Sequence, residues 1–511
     1  MKKILKLLFH RIFLIGFLIF LQASILIFII IRFSEYFIYF YSFSLVLSMV
    51  VVLWILNNRS NPSYKIAWII PIFLFPIFGG LFYLLFGGSA LTRRQKRRME
   101  QVGDTYIRTL TRNSTVVQSL KEENMNAYHQ SHYISEYAYS PIYQNTYSEY
   151  YPIGEAKFAS MIQELKQAKH YIFLEYFIIR EGKMWNTILD ILVEKARSGV
   201  DVRVIYDDFG CMMTLPYHYP KKLEALGIQC CIFNPFVPIL SKKFNNRDHR
   251  KITVIDGHTG FIGGINLADE YINAFERFGH WKDSAVMLKG DAVWNLTVMF
   301  LSVWDYLKNV QSDFAAYRPE VYQEEQYQSD GYVQPFDDSP LDHETVGETV
   351  YLNLINKAEK YVYITSPYLV IDNEMVQALC IAAKSGIDVR IMTPYIPDKK
   401  YVHHLTRSYY QQLIESGVRI YEYTPGFIHA KNYVVDDLYA VVGTINMDYR
   451  SLYLHYECAV WLYRTQSVHA VYQDFVETLK LCREVTLEDC KQVKWRTRML
   501  RSVLRLFAPL M

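Results

Sequence analysis

The sequence has few cysteines, and none of them form a C-x-x-C pair. Seven cysteines occur among 511 residues. An odd number without regular spacing excludes a disulfide framework and is typical of free thiols in a reducing compartment. The net charge is only +3 at pH 7, so the overall charge identifies no partner. With 51% hydrophobic residues, the chain is long enough for two large globular units and membrane segments.

Charged side chains are absent from three stretches early in the chain. Residues 12–31 and 37–56 are 20 residues long each, and residues 66–86 are 21 residues long. About 20 apolar residues suffice for a helix to cross a bilayer, so the sequence predicts three transmembrane helices in a membrane domain over residues 1–92. We expect the first segment to be retained, because Leu-Gln-Ala at 21–23 is a poor signal-peptidase site.

The basic residues around these segments do not fix their orientation. Either orientation places six lysines or arginines on the cytoplasmic side, so the positive-inside rule favours neither. The dense basic run at 93–98 would bind anionic headgroups and favours a cytoplasmic catalytic part. Three spans would then place the N-terminus outside, whereas a first segment lying on the surface would leave both ends inside.

Two copies of one eight-residue pattern stand out in the rest of the chain. Each reads H-x-K-x-x-x-x-D, at residues 249–256 and at residues 429–436. The defining members are His249, Lys251, Asp256, His429, Lys431 and Asp436. Glycines and then an asparagine, Asn266 or Asn446, follow each copy at the same interval. One octet could arise by chance, but two with matching partners, after apolar segments, indicate phosphodiester chemistry on a lipid.

The spacing within the octet has a physical meaning. Side chains alternate along an extended strand, so His249 and Lys251 project to one face and Arg250 to the other. A nucleophilic imidazole beside a fixed ammonium suits attack on an anionic phosphate. Asp256 with Gly257 is a strong hairpin-turn dipeptide. We therefore interpret the aspartates of both octets as members of the catalytic motif that fix the turn.

The downstream asparagines and the absence of metal-site spacing complete this interpretation. Asn266 and Asn446 can donate amide hydrogens to phosphate oxygens. Metal binding fits poorly, because a lysine stands where a second ligand would be needed and neither octet has a nearby cysteine or carboxylate at metal-site spacing. We therefore expect neither a metal nor another cofactor.

These motifs resemble those of the phospholipase D superfamily, and specifically of bacterial cardiolipin synthases. The first motif covers residues 245–257 and 263–271 and continues to Asp283, and the second covers residues 429–431 and 443–451 and continues to Glu457. The resemblance extends from the third apolar segment to the C-terminus. The chain departs from the family at 455–457, where His-Tyr-Glu replaces Asn-Phe-Glu, and at 367–372, where Pro-Tyr-Leu-Val-Ile-Asp replaces Pro-Tyr-Phe-x-Pro-Asp.

The resemblance implies a mechanism and partners. His249 would attack the phosphodiester of phosphatidylglycerol and form a phosphohistidine, and His429 would act as acid and then as base. The lysines and asparagines would stabilise the phosphoryl charge, while Asp283 and Glu457 would orient the histidines. The implied partners are phosphatidylglycerol and anionic membrane lipids, without nucleic acid. The implied location is the bacterial plasma membrane, as a multi-pass integral protein.

A longer internal repeat supports two pseudo-symmetric α/β domains like those of phospholipase D. Residues 196–203 and 383–390 match at six of eight positions, and in both copies a helical stripe ends at Ser-Gly before a strand. We predict a polar connector over 93–150, a first domain over 151–310, a linker or surface excursion over 311–345, and a second domain over 346–511. A basic amphipathic helix that includes residues 494–507 is predicted either to lie on an anionic surface or to pack on the catalytic core.

Other functions remain open at this point. A phospholipase D that lets water resolve the intermediate shares every catalytic residue. A nuclease could use the same histidines. It would need a basic surface with stacking aromatics, and it would not require membrane segments. A scaffold with degenerate motifs is disfavoured, since both octets are intact.

Overall fold

The computed structural model describes residues 37–510 except 59, 77–78, 88–92, 236–244, 319–326, 328, 330 and 343, with a few residues between 17 and 28. The first predicted span, at 12–31, therefore lies largely outside the described residues. Because the other predicted elements fall mostly within them, the architecture can be followed from residue 37 onward.

Three apolar helices form the first described unit, which we call the apolar unit. They are α1 (Phe37–Asn57), α2 (Pro62–Leu74) and α3 (Gly79–Phe86). The predicted span at 66–86 is thus two helices rather than one. Gly79 allows close packing of α3 on α2, since a Cβ there would lie 2.4 Å from Ile72 Cα. Among the residues described, no helix meets the combined requirements of length and apolarity for crossing a membrane.

The apolar unit is attached to the second half of the protein by a polar contact. Asn61 caps the start of α2, and its Nδ2 donates to Asp372 Oδ2 at 2.9 Å and to the Tyr453 hydroxyl at 3.0 Å. The Tyr453 hydroxyl lies within hydrogen-bond distance, 2.8 Å, of both Asp372 Oδ2 and Glu348 Oε1. A hydrogen-bond network therefore joins the apolar unit to the second half.

The predicted polar connector is mostly helical. It contains α4 (Arg93–Thr109), α5 (Ser114–Glu123) and α6 (Met125–Tyr137), and it ends in β1 (Thr146–Tyr151). β1 pairs antiparallel with a strand of the first half, so the end of this region belongs to the first domain.

The first half is a seven-stranded mixed sheet with helices on its faces. Its order is β1-β8-β6-β5-β2-β3-β4, and β2, β3 and β4 are parallel neighbours. The elements after β1 are α7 (Gly154–Gln167), β2 (Tyr171–Tyr176), α8 (Lys183–Arg197), β3 (Asp201–Asp207), α9 (Asp208–Cys211), α10 (Tyr219–Ala225), β4 (Gln229–Phe233), β5 (Lys251–Ile255), β6 (Thr259–Gly263), β7 (His280–Lys282), β8 (Ala285–Gly290) and α11 (Val293–Lys308).

The second half repeats this design in an eight-stranded sheet of order β19-β13-β12-β10-β15-β16-β18-β9. Its elements are β9 (Tyr332–Asp338), α12 (Val346–Lys357), β10 (Tyr361–Thr365), β11 (Leu369–Val370), α13 (Asn373–Lys384), β12 (Asp388–Pro394), α14 (Lys400–Glu415), β13 (Arg419–Tyr423), β14 (Gly426–Ile428), β15 (Asn432–Val435), β16 (Tyr439–Gly443), β17 (Met447–Asp448), α15 (Tyr449–Tyr453), β18 (Glu457–Tyr463), α16 (Gln466–Leu479), β19 (Cys482–Val485), α17 (Leu487–Lys491) and α18 (Trp495–Phe507).

The repeat predicted from sequence is visible in this list. The helical stripes form α8 and α13, and the strands after Ser-Gly are β3 and β12. Gly199 and Gly386 end the helices at φ values of +94° and +95°, a region that favours glycine. The linker interpretation of 311–345 is wrong for 332–338, because β9 pairs along β18 as an edge strand.

The basic helix α18 packs on α14 of the second half. Arg505 lies 4.5 Å from the centre of the Tyr409 ring on α14, and the partly buried Leu504 packs against the core. Trp495 remains 67% exposed and Met499 60% exposed. The helix therefore contacts the core and still presents apolar side chains outward.

Among the described residues, three buried clusters lie within and between the halves, and a fourth lies in the apolar unit. One consists of first-half residues together with Phe427, one lies mainly in the second half, and the third combines residues of both sheets. This shared cluster includes Phe173 and Ile252 from the first half and Val434 and Val460 from the second. Because apolar burial drives association, the shared cluster fixes the two halves face to face.

Candidate active site

The first octet lies where the two halves meet. Lys251 begins β5, and Asp248 bridges to Tyr456 of the second half just before it. The His249 backbone N–H donates to the Tyr456 carbonyl at 2.9 Å. His249 thus precedes the strand rather than lying inside it, and a backbone contact with the other half fixes its position.

The second octet has the same arrangement. β14 pairs in parallel with β7 of the first half, and Ile428 stands opposite Lys282. The His429 N–H donates to the Lys282 carbonyl at 2.7 Å. His429 therefore stands beside Asp283 as His249 stands beside Glu457.

Each histidine is paired with a carboxylate from the opposite half. His249 Nδ1 lies 2.9 Å from both Oε atoms of Glu457, and His429 Nδ1 lies 2.6 Å from Asp283 Oδ2. The Thr444 hydroxyl also donates to Glu457, and the Ser284 N–H donates to Asp283 Oδ1 at 2.8 Å. A carboxylate that accepts from Nδ1–H fixes the imidazole and leaves Nε2 for chemistry.

The two motif lysines are buried next to the histidines. Lys251 and Lys431 are 2% and 1% exposed, and each ammonium donates to the carbonyl of the histidine two residues earlier. Burial lowers the pKa of Lys251 to about 8 and that of Lys431 to about 7. Both lysines therefore lose their protons closer to neutrality than an exposed lysine does.

The same burial keeps both imidazoles neutral. Burial, with the charges of Lys251 and Lys431, holds the pKa of His249 well below its ordinary value. Burial and Lys431 lower the pKa of His429 to about 4, against the opposing effect of Asp283. Burial acts the other way on Asp283, but Lys431 and His429 outweigh it and lower the pKa of that carboxyl. These pKa shifts favour neutral imidazoles beside an ionised Asp283 carboxylate.

The predicted asparagines are buried near the octets and bonded to protein groups. Asn266 Oδ1 accepts from the Ile178 N–H at 2.9 Å, and its Nδ2 donates to the Tyr271 hydroxyl at 2.7 Å. Asn446 Nδ2 donates to Ser451 Oγ at 2.9 Å. An amide nitrogen carries two hydrogens, so each asparagine has a further hydrogen beyond the one donated in these bonds. The role of both asparagines in phosphate binding stays a prediction.

The octet aspartates lie at the hairpin turns. Asp256 accepts from the backbone N–H groups of residues 169–171 at 2.7 to 2.8 Å, and Asp436 accepts from those of residues 359–361 at the same distances. Asp256 and Gly257 have φ values of +50° and +70°, which are typical of a tight hairpin turn. Both carboxylates thus tie the hairpin to the start of the neighbouring strand.

Aromatic rings surround the two histidines. The Phe177 ring lies 5.1 Å from that of His249, and the rings of Tyr271 and Trp281 lie 5.7 and 5.6 Å from that of His429. These neighbours were not predicted from the sequence. Phe177 follows β2, and Tyr271 stands a few residues after a motif glycine pair, so only the position relative to the motifs could have suggested them.

One group of side chains in the described part of the chain has ligand atoms close enough for a metal ion. His249, His455 and Glu457 have ligand atoms within 4.8 Å of one another. His455 Nδ1 lies 3.7 Å from Glu457 Oε1. Two imidazoles and a carboxylate are a known zinc ligand set, so the expectation of a metal-free site stays a prediction.

Comparisons with known proteins identify a described domain in each half. A family model described as "Cardiolipin synthase, PLD-like domain" matches residues 161–290 and 351–479, and one described as "Phospholipase_D-nuclease N-terminal" matches residues 46–88. The two matches of the first model include one octet each.

Similar full-length proteins come from several bacteria. An uncharacterized protein of Streptococcus mutans is 45% identical over 460 residues, covering 90% of this chain and 99% of that protein. A cardiolipin synthase of Geobacillus kaustophilus is 37% identical over 464 residues, covering 89% of this chain and 90% of the synthase.

A solved structure shares the fold. The phosphatidylserine synthase of Haemophilus influenzae superposes with a TM-score of 0.57 at 16% identity, covering 75% of this chain and 97% of that one. Together with the paired octets and the family-model match over both halves, these findings show that the chain belongs to the cardiolipin synthase family of phospholipase D-like proteins.

Proposed function

We propose that this protein is a cardiolipin synthase that converts two phosphatidylglycerol molecules into cardiolipin and glycerol. The strongest support is the exchange of carboxylates between the halves, which orients two neutral imidazoles within one buried site. Cardiolipin synthases similar over nine-tenths of this chain support the same substrate.

In the first step, His249 Nε2 attacks the phosphorus of one phosphatidylglycerol. The bond from phosphorus to the glycerol oxygen breaks, a phosphorus–nitrogen bond forms, and His429 gives its proton to the departing glycerol. The anionic phosphodiester offsets the two lysines and raises the pKa of His429, so that this imidazole carries the proton when substrate is bound.

In the second step, the terminal hydroxyl of another phosphatidylglycerol attacks the phosphohistidine. His429 takes the hydroxyl proton, the new phosphorus–oxygen bond forms, and the phosphorus–nitrogen bond to His249 breaks. Lys251 and Lys431 offset the phosphoryl charge in both steps. The assignment of roles is supported by Asp283, which makes His429 the easier of the two histidines to protonate.

Aromatic side chains around the histidines favour transfer over hydrolysis. The rings of Phe177, Tyr271 and Trp281 pack beside the reacting imidazoles, and exclusion of water by such side chains would protect a reactive intermediate. We therefore assign the second substrate as a lipid alcohol.

The apolar unit and the basic residues after it support a location at the bacterial plasma membrane. On α1, Ile38, Phe43 and Val46 are 76%, 66% and 59% exposed, and exposed apolar surface of this kind is typical of membrane contact. Lys96 and Arg97 at the start of α4 suit the anionic cytoplasmic leaflet. We propose a membrane-integral protein with its catalytic part facing the cytoplasm; several spans remain predicted from sequence.

The products made from phosphatidylglycerol alone test this function. Purified protein in lipid-containing micelles should release glycerol and form cardiolipin in equal amounts, measured by mass spectrometry. Phosphatidic acid as the dominant product would instead show a phospholipase D. Cleavage of an oligonucleotide, with both lipid products absent, would show a nuclease.

A further inference from the structure

A cavity of about 580 Å³ lies on the reverse side of the segments that carry His249 and Glu457. It opens between α4 and α11, and its volume falls in the range of about 300–1,000 Å³ that is common for ligand pockets. Most of its wall is apolar, with side chains that include Met99, Ile107, Phe233, Met299, Val303 and Leu341.

This cavity is separate from the histidine pair. Its inner wall includes Arg250 and Tyr456, each of which is adjacent in sequence to an active-site residue. The Arg250 guanidinium faces away from the histidines: its Nε lies 3.0 Å from Asp248 Oδ1 and its Nη2 lies 2.9 Å from Glu175 Oε1. The backbone segments that carry Arg250 and Tyr456 therefore lie between the cavity and the active site.

The polar groups that line the cavity include a hydroxyl that is available to donate. The Tyr106 hydroxyl donates to Asp337 Oδ1 at 3.0 Å, and burial raises the pKa of Asp337 and that of Asp342, the latter to about 6. Ser302 is 8% exposed, and its hydroxyl has no hydrogen-bond partner among the described residues. An ester carbonyl within the cavity could accept this hydrogen bond.

The mouth of the cavity is both apolar and basic. Ile107, Tyr137 and Tyr139 line it and are 41%, 54% and 45% exposed. Lys96 lies on the rim and is exposed, as is the adjacent Arg97. Glu100 also lies on the rim, but five of the six residues at 93–98 are basic. An apolar cavity with a basic rim suits an amphiphile whose apolar chain enters the cavity and whose anionic headgroup stays at the rim.

We propose that this cavity binds one acyl chain of an anionic phospholipid that is distinct from the molecules reacting at the histidines. The chain lies along Met99, Met299 and Val303, and Lys96 and Arg97 bind the phosphate. Because Arg250 and Tyr456 form the wall, the bound chain supports the backbone that positions His249 and Glu457. This site does not depend on the proposed reaction.

Photochemical labelling of the full chain tests the site directly. The probe is phosphatidic acid with a diazirine at the end of one acyl chain, which lacks the glycerol leaving group of the proposed substrate. After illumination in micelles, peptide mapping should place adducts within residues 99–107 and 299–306. Adducts confined to the apolar unit or to the outer surface would overturn the proposal.

Two neighbouring positions on α4 offer a matched pair of variants. Gly103 lines the cavity, and a Cβ there meets no atom within 4 Å, so Gly103→Phe fills the cavity without a backbone clash. The adjacent Asp104 is exposed and does not line it, so Asp104→Phe adds the same ring outside. Gly103→Phe should reduce labelling several-fold, whereas Asp104→Phe should leave it unchanged.

A comparison of two headgroups tests whether the bound lipid must be anionic. A phosphatidylcholine probe with the same diazirine chain should label the cavity several-fold less than phosphatidic acid, and the double variant Lys96→Gln with Arg97→Gln should remove that difference. Equal labelling by both probes in the unmodified protein would overturn the anionic assignment. If Gly103→Phe fails to fold, as judged by thermal melting, the adduct map of the unmodified protein still decides the proposal.

Discussion

His249 Nδ1 lies 2.9 Å from both carboxylate oxygens of Glu457, a residue 208 positions further along the chain. The second octet has the reciprocal contact, since His429 bonds to Asp283 of the first half. Each half therefore supplies one imidazole and the acid that orients the other imidazole.

The first prediction concerns the separate roles of the histidines. His249→Ala and His429→Ala should each lower cardiolipin formation by at least about 10²- to 10⁴-fold, which is the usual contribution of acid–base and nucleophilic groups. His429→Ala should also accumulate radiolabelled phosphate on His249, because the intermediate forms slowly but lacks the base that resolves it. Label on any other residue would contradict the assignment of the nucleophile.

The second prediction distinguishes the roles of Glu457 and Asp283 by changing the leaving group of the substrate. Glu457→Gln should slow attack by His249 on any substrate, since the imidazole loses its orienting partner. Asp283→Asn should slow release of glycerol, which needs a proton, much more than release of p-nitrophenol, which does not. Stopped-flow bursts with a p-nitrophenyl phosphodiester lipid measure this difference. Equal losses in both variants with both substrates would refute the division of roles.

The third prediction is a bell-shaped pH dependence of kcat/KM, which reports groups of the free enzyme. Activity should fall at low pH, where the nucleophile His249 takes up a proton; burial and the charges of the two lysines hold the pKa of His249 well below its ordinary value, so this loss should come well below neutrality. It should also fall as pH rises through about 7 and 8, where Lys431 and Lys251 become neutral. Lys431→Arg keeps its charge at these pH values and should move the alkaline limb upward. An unshifted limb would exclude Lys431 as its origin.

The fourth prediction concerns the octet aspartates. Asp256→Ala should lower the free energy of unfolding by roughly 1–3 kcal/mol, because buried backbone donors lose their acceptor. Asp256→Asn keeps one acceptor oxygen and should be intermediate, and Asp190→Ala, at an exposed position on α8, should have little effect. Denaturant titration measures all three. Full stability with lost activity in Asp256→Ala would indicate a direct catalytic role.

The fifth prediction concerns metal dependence. Transfer activity should survive prolonged exposure to a strong chelator, since the proposed steps use only histidines, lysines and carboxylates. Loss of activity that zinc restores would identify His249, His455 and Glu457 as a metal site. In that case His455→Asn should weaken zinc binding, measured by calorimetry, because a ligand imidazole is removed.

The sequence predicted the residues and local structure of the site better than it predicted the contacts between those residues. The octets, their hairpins and the repeat around α8 and α13 depend on local spacing, and local spacing is visible in a sequence. Thr259–Gly263 and Tyr439–Gly443 form the strands that follow the two hairpin turns. The alternation of side chains also explains why Arg250 faces away from His249.

What the sequence could not predict depends on packing between the halves. The pairing of His249 with Glu457, rather than with Asp283, follows from the parallel contacts of Asp248 with Tyr456 and of β7 with β14. The edge strand β9 lies in a region with few aliphatic residues, so its composition suggested a linker. The break between α2 and α3 was hidden because apolar residues continue through it.

The buried cluster shared by the two sheets makes both histidine–carboxylate pairs depend on contact between the halves. If thermal motion opened that seam, both imidazoles would lose their carboxylates together, and neither could cleave a phospholipid in isolation. Packing of the two halves and activity of the site should therefore be lost together.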